Sequence, residues 1–356
     1  GCAETSYARI VTQLFGERMY ISNATGCSSI WGGSAPATPY TVNRESGKGP
    51  AWANSLFEDN AEHGMGMELG QKVIRNRVIG MIRELGDMVT CEETKAVIDA
   101  YLSTLENGAE NAKASKALIA MLEASTCEKC ADLRAQILLY KDYIAKKSVW
   151  IFGGDGWAYD IGFGGLDHAI ASGEDVNIFV FDTEVYSNTG GQASKATPTG
   201  SVAQFAAAGK GQKKKDLAAI AMSYGYVYVA QVCMGYDKNQ LLKALTEAEA
   251  YNGPSLIIGY APCEMHGVKG GMQNCLAEQK KAVESGYWQT FRYNPETGKV
   301  ILDSKAPTGS YQDFIRSEVR YARLAQSFPE RAEVLFAQAE DFAKAKYEKL
   351  KKLSEQ

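Results

Sequence analysis

The chain has 356 residues, 45% of them hydrophobic and 22% charged, with a formal net charge of −4. That length suits a large core and about two domains. No apolar run reaches the roughly 20 residues of a membrane helix, and the acidic balance offers nucleic acid no attracting field, so neither partner is expected.

The eight cysteines are Cys2, Cys27, Cys91, Cys127, Cys130, Cys233, Cys263 and Cys275. Disulfide scaffolds are short and cysteine-dense. Reduced thiols in a cytoplasmic protein are the expectation here, some of them as metal ligands. The sequence opens on Gly1 with no charged or apolar leader after it. The chain is therefore expected to be processed, or cut from something longer.

Met19-Tyr20-Ile21 reads as a short apolar strand. The Gly-, Ser-, Thr- and Pro-rich run that follows, to Pro39, predicts an irregular loop of the kind that carries sites. From about 54 to 147, Ala, Glu, Lys and Leu dominate, with three-and-four spacings such as Val97, Tyr101 and Leu105. That pattern predicts an all-helical insertion.

The character changes at Ser148. Apolar runs at 148–153, 176–182, 226–232 and 255–261 alternate with helical patterns at 161–172, 214–224 and 238–251. Near-continuous apolar strands between helices predict an α/β fold, a parallel sheet with helices on both faces. Ligands of such sheets sit outside the carboxyl ends of the strands. The tail is helical again from about 310, with Leu335, Ala339, Phe342, Tyr347 and Leu350 on one stripe for packing on the body or a partner chain. The expected division is an α/β domain at 1–304, carrying the insertion, and a helical tail at 305–356.

Gly154-Asp155-Gly156 ends the first strong strand. Flanking glycines let backbone approach an anion without a Cβ clash, and the N–H groups of a following helix would face it. The carboxylate would repel a diphosphate unless a cation lay between them. Mg²⁺ suits this, because it takes oxygen ligands from one or two protein groups plus phosphates. A second ligand is expected from the neighbouring strand end, where Thr183 follows Asp155 by 28 residues, the length of one helix and one strand. A dinucleotide fingerprint fails, since Tyr159 stands where its third glycine belongs, and no P-loop is present. A tight strand–helix turn without a ligand is the competing reading.

The stretch GDGWAYDIGFGGLDHAIASGEDVNIFVFDTEVYSNTGGQASKATPTG, 154–200, resembles single-chain pyruvate:ferredoxin (flavodoxin) oxidoreductase, a thiamine diphosphate (ThDP) enzyme. The resemblance covers nearly the whole chain, most strongly 1–60 and 148–270. It implies that Gly154, Asp155 and Gly156 form the cofactor-binding turn. Asp155 and Thr183 would bind Mg²⁺ through side chains and Val185 through its carbonyl. Asn188 would reach the substrate side of the cofactor as the catalytic-site residue. Most ThDP enzymes have Asn where Thr183 stands, and this departure itself matches the oxidoreductase branch.

Cys27 and Cys263 follow expected strands, and free cysteines are more often small core hydrophobes than ligands. The resemblance implies otherwise: a 4Fe–4S cluster near ThDP, with Cys2, Cys27 and Cys263 matching three of four ligands and the fourth upstream of Gly1. Cys127-Glu128-Lys129-Cys130 suits zinc or redox chemistry in spacing. It is a single pair with only Cys91 as a third candidate, so ordinary thiols or one local disulfide are expected. His63, His168 and His266 are too scattered for a metal set, and His168 reads as a packed helix residue. Lys213-Lys214-Lys215 reads as a solvated face, with an acidic partner such as ferredoxin as the alternative.

The activity implied is oxidative decarboxylation of pyruvate to acetyl-CoA and CO₂, with electrons passed to ferredoxin or flavodoxin. Other domains of a homodimeric parent would be required, so this chain alone is expected to be inactive. The alternatives are a separate β-subunit of a multi-subunit 2-oxoacid:ferredoxin oxidoreductase and a non-redox ThDP lyase.

Overall fold

A computed structural model describes residues 2–34 and 38–356. Gly1 and positions 35–37 of the expected loop therefore lie outside the described residues. In chain order the first elements are α1 (Ala3–Phe15), β1 (Met19–Ala24), α2 (Cys27–Gly33) and β2 (Ala51–Ser55). The helical segment follows as α3 (Asn60–Met88), α4 (Glu92–Leu102), α5 (Gly108–Ala124) and α6 (Ala131–Leu139). The alternating part holds β3 (Ser148–Gly154), α7 (Phe163–Ala171), β4 (Asn177–Asp182), α8 (Leu217–Met222), β5 (Tyr228–Val232), α9 (Lys238–Ala250) and β6 (Ser255–Tyr260). The last elements are α10 (Cys275–Glu284), β7 (Phe291–Asn294), β8 (Lys299–Leu302), α11 (Tyr311–Arg316), α12 (Val319–Ser327) and α13 (Pro329–Ser354).

The strands form one eight-stranded sheet in the order β2-β1-β3-β4-β6-β5-β7-β8. The six from β2 to β5 are parallel, as expected. The sheet departs from the all-parallel expectation at one edge, where β7 and β8 pair antiparallel. These short strands are joined by a tight turn with Gly298 at φ +66°, an angle that glycine adopts without steric cost.

Both faces of the sheet are covered, because successive strand residues point to opposite sides. From β3, Val149 and Ile151 enter one core while Trp150 and Phe152 enter the other; β4 splits Ile178 and Val180 from Phe179 and Phe181 in the same way. The first core is closed by α7, α8 and α10–α13, and the second by α1, α2 and α9. The tail stripe thus packs on the body, with Leu335, Ala339 and Leu350 buried in the first core.

The helical segment builds a third core of its own, from Val78, Ile82, Tyr101, Leu118, Leu122 and Ile137 among others. Its long first helix, α3, serves two interfaces. Near its start, Gly64 lies so close to β3 that a Cβ there would overlap Ile151, while its later turns enter the third core. Two sequence expectations need correction here. The supposed loop after β1 carries α2, and β2 stands where the helical insertion was expected to begin. Among the described residues, no helix is long and apolar enough to cross a membrane.

Candidate functional site

The register Gly154↔Phe181 aligns β3 with β4. Asp155 and Thr183 therefore leave adjacent strand tips on the same edge of the sheet. Asp155 is fully buried. Its Oδ1 accepts from the Thr183 N–H at 3.2 Å and lies 2.9 Å from Thr183 Oγ1. Its Oδ2 accepts from the Ser194 hydroxyl at 2.5 Å. Thr183 Oγ1 also lies 3.1 Å from the Val185 carbonyl oxygen and 2.6 Å from Ser187 Oγ. One hydroxyl proton thus faces three oxygens.

That crowding of a carboxylate, a hydroxyl and a carbonyl is the donor set of a small hard cation. Burial, reinforced by Asp182 beside it, pushes the Asp155 carboxyl up to about 8. A cation placed among these oxygens would supply the charge that burial withholds.

A single π-type turn, Gly156–Ile161, starts directly after Asp155, earlier than the helix expected from about Tyr159. Gly156 has a steric reason to be glycine, since a Cβ there would stand 2.6 Å from the Tyr186 ring. Around Gly154 the space is open, with the nearest atom 3.9 Å from such a Cβ. Asn188 sits exposed on the turn beyond Ser187, and none of the side-chain hydrogen bonds found among the described residues involves it.

Behind the loop lies an ionic network that sequence reasoning missed. Glu184, between two candidate ligands, is buried and held at φ +62°. Its carboxylate pairs with Lys214 at 2.9 Å and Arg320 at 2.8 Å, and accepts from Tyr287 at 2.6 Å. Burial alone would raise this carboxyl, but Lys214 and Arg320 pull it down to about 2. Lys214 also pairs with Asp182 at 2.8 Å. The middle of the lysine run is therefore a half-buried bridge between two buried carboxylates and not a freely solvated residue.

His266 is fully buried, and its Nε2 lies 2.7 Å from the Thr183 carbonyl oxygen. A carbonyl only accepts, so Nε2 carries the proton. Nδ1 then faces Glu318 Oε1 at 3.6 Å, and Arg320 holds Glu318 through a 2.7 Å pair. His168, by contrast, is exposed, against the expectation of packing. A sequence signal existed for Glu184, which lies inside the ligand motif. None existed for Arg320, 136 residues further on.

Cys2 caps the start of α1, Cys27 opens α2 and Cys263 precedes a short turn after β6. Burial, then Glu4, Cys263 and Cys2, all push the Cys27 thiol up. The three thiols are thus electrostatic neighbours on the edge that carries Asp155. Among the described residues, no three His, Cys, Asp or Glu side chains reach a common metal-binding geometry. All eight cysteines are free thiols.

The mostly parallel sheet covered by helices is the α/β fold of TPP-binding domains. Residues 133–258 match the family model described as Thiamine pyrophosphate enzyme, C-terminal TPP binding domain. The whole chain aligns at 55% identity with Pyruvate:ferredoxin oxidoreductase of Moorella thermoacetica, of which it covers 31%. Pyruvate-flavodoxin oxidoreductase of Klebsiella pneumoniae is 52% identical over 99% of this chain and 30% of its own length. Pyruvate dehydrogenase [NADP(+)], mitochondrial, of Euglena gracilis is 46% identical over 100% of this chain and 20% of its own.

Over nearly its whole length this chain is similar to one region of the pyruvate:ferredoxin and pyruvate-flavodoxin oxidoreductases. It spans less than a third of the length of these relatives. A solved structure, 2-oxoglutarate:ferredoxin oxidoreductase from Magnetococcus marinus, overlaps 74% of this chain and 63% of its own at TM-score 0.44 and 14% identity.

Proposed function

We propose that this chain supplies the Mg²⁺–diphosphate half of a ThDP site in a pyruvate oxidoreductase that passes electrons to ferredoxin or flavodoxin. Asp155, Thr183 and Val185 would hold the cation, and Gly154 and Gly156 would leave the diphosphate room beside the turn. The observation that carries this reading is the placing of Thr183 Oγ1 2.9 Å from Asp155 Oδ1 and 3.1 Å from the Val185 carbonyl oxygen, at the tips of β3 and β4. ThDP, when bound, supplies the chemistry that decarboxylates a 2-oxo acid.

The protein's own share is to bind, orient and exclude water. His266 and Glu184 fix the ligand loop from behind. Asn188, exposed at the loop's tip, is free to meet substrate or the cofactor's ring. Cys2, Cys27 and Cys263 would contribute thiolates to a 4Fe–4S cluster on the same edge, a role that needs their half-buried thiols to lose protons to iron. Coenzyme A, the remaining domains and a homodimeric cytoplasmic assembly belong to the parent enzyme.

Calorimetry of ThDP binding to this chain, with and without Mg²⁺, tests the reading. Heat is expected only with both present, and Asp155→Asn is expected to abolish it. Equal binding without Mg²⁺, or by the variant, would refute the assignment.

A further inference from the structure

The helical segment contains a pair of thiols that the cofactor site does not use. Cys127 Sγ and Cys130 Sγ lie 3.4 Å apart, in hydrogen-bonding contact. Cys130 is the N-cap of α6, and its side chain is buried in the third core, at 4% exposure. Cys127 is exposed. One sulfur is thus open to a reagent in solution, and the other is held immediately behind it.

The surroundings favour a nucleophile over an inert thiol. The Cys130 thiol 3.4 Å away, the neighbouring backbone of Cys130 and Lys129 and the positive charge of Arg134 all favour the charged form of Cys127. Together they hold the Cys127 thiol below its ordinary value, while the same contact raises Cys130. The Arg134 guanidinium bonds the Ser125 carbonyl, which pins the loop carrying Cys127 to α6. An open cavity of about 190 Å³ adjoins the pair, lined by Cys91, Met121, Cys127, Lys129, Cys130 and Arg134 among others. Its two cations suit a small molecule bearing carboxylates.

A zinc site does not account for the pair. Structural zinc takes four ligands, and no third His, Cys, Asp or Glu joins these sulfurs in ligating geometry among the described residues.

We propose that Cys127 and Cys130 form a redox-active dithiol that undergoes exchange with a low-molecular-weight disulfide carrying carboxylates, such as oxidised glutathione. Cys127 thiolate attacks one sulfur of the disulfide, forming a mixed disulfide and expelling one thiolate. Cys130 then loses its proton and attacks the Cys127 sulfur, expelling the second thiolate. The two protons from the protein thiols end on the two released thiols. The protein pair is oxidised by two electrons and the small disulfide is reduced by two. The site lies in the third core, apart from the sheet edge that carries Asp155, so it is a modification site separate from the cofactor's.

The test uses the 356-residue chain under anaerobic conditions with oxidised glutathione, quenched by alkylation. Tryptic cleavage after Lys129 places Cys127 and Cys130 in separate peptides, so only a disulfide can keep them joined. The expected result is that this joined pair is the first product, and that dithiothreitol reverses it. Cys130→Ser should instead accumulate a stable glutathione adduct on Cys127. Cys127→Ser should slow any modification of Cys130 by about tenfold or more, as loss of the exposed attacking thiolate requires. A persistent adduct on Cys127 in the unsubstituted chain, pairing of Cys127 with Cys91 instead, or alkylation of both thiols without exchange would each overturn the proposal.

Discussion

At the carboxyl edge of the sheet the chain buries Asp155, Asp182, Glu184, His266, Glu318 and Arg320; between α3 and α6 it buries Val78, Ile82, Leu118, Leu122 and Ile137. Burying charge is costly unless each group is paired and hydrogen-bonded. The edge meets that condition almost everywhere, through chains of ion pairs that leave Asp155 without a cationic contact of its own. The insertion's core is mainly apolar; it buries the charged Glu68, Arg75 and Lys146, and polar groups there also tie backbone, as where Asn111 accepts from the Lys146 N–H at 2.8 Å. Burial in the insertion serves cohesion, whereas burial at the edge serves a ligand.

The contrast breaks most sharply under substitution. Leu118→Ala, in the insertion, is expected to lower unfolding free energy by about 2–5 kcal/mol through lost burial and a cavity. It should leave cation-dependent ThDP affinity unchanged when both are measured by chemical denaturation and calorimetry. Asp155→Asn is expected to do the reverse. Cofactor affinity should fall by roughly 100-fold or more, the upper bound for loss of a partner beyond the metal's direct ligands. Cation-free stability should stay within about 1 kcal/mol, since a desolvated carboxyl is replaced by a neutral amide of the same shape.

Acidity sharpens the comparison further. Asp155, raised to about 8, keeps a proton that the cation must displace. Mg²⁺-dependent affinity should therefore climb up to about tenfold per pH unit and level off above about 8. Its effect on the cation-free chain has the opposite sign. The folded state binds the extra proton, so this stabilisation is complete in acid and is lost as pH rises through about 8. Calorimetry and melting at several pH values check both. The smallest expected effect is at His266. His266→Gln keeps a donor for the Thr183 carbonyl, whereas His266→Ala removes a bond worth about 1 kcal/mol. The alanine variant alone should weaken cofactor binding severalfold.

Much of this was legible in the sequence where the physics is local. The apolar runs of β3, β4, β5 and β6 announced buried parallel strands. Gly154-Asp155-Gly156 and Thr183 marked two strand tips one helix and one strand apart. The edge strands β7 and β8 and the short polar β2 carry no such run, because an edge or half-exposed strand needs no continuous apolar sequence. Lys214 was misread, and the contacts of His266 went unseen, for a different reason. Their partners, Asp182, Glu184, Thr183 and Glu318, are brought together by tertiary folding across long stretches of chain. A lysine beside two other lysines looks solvated until the carboxylates that neutralise it are in place.

Glu184 adopts a left-handed backbone angle that costs a residue with a side chain about 1–3 kcal/mol. Arg320, Lys214 and Tyr287 hold it there before any ligand arrives. The torsional expense of shaping the cation loop thus falls on folding, not on association. A diphosphate meets a receptor that is already set, and α12, far along the chain, acts as the brace that keeps it so.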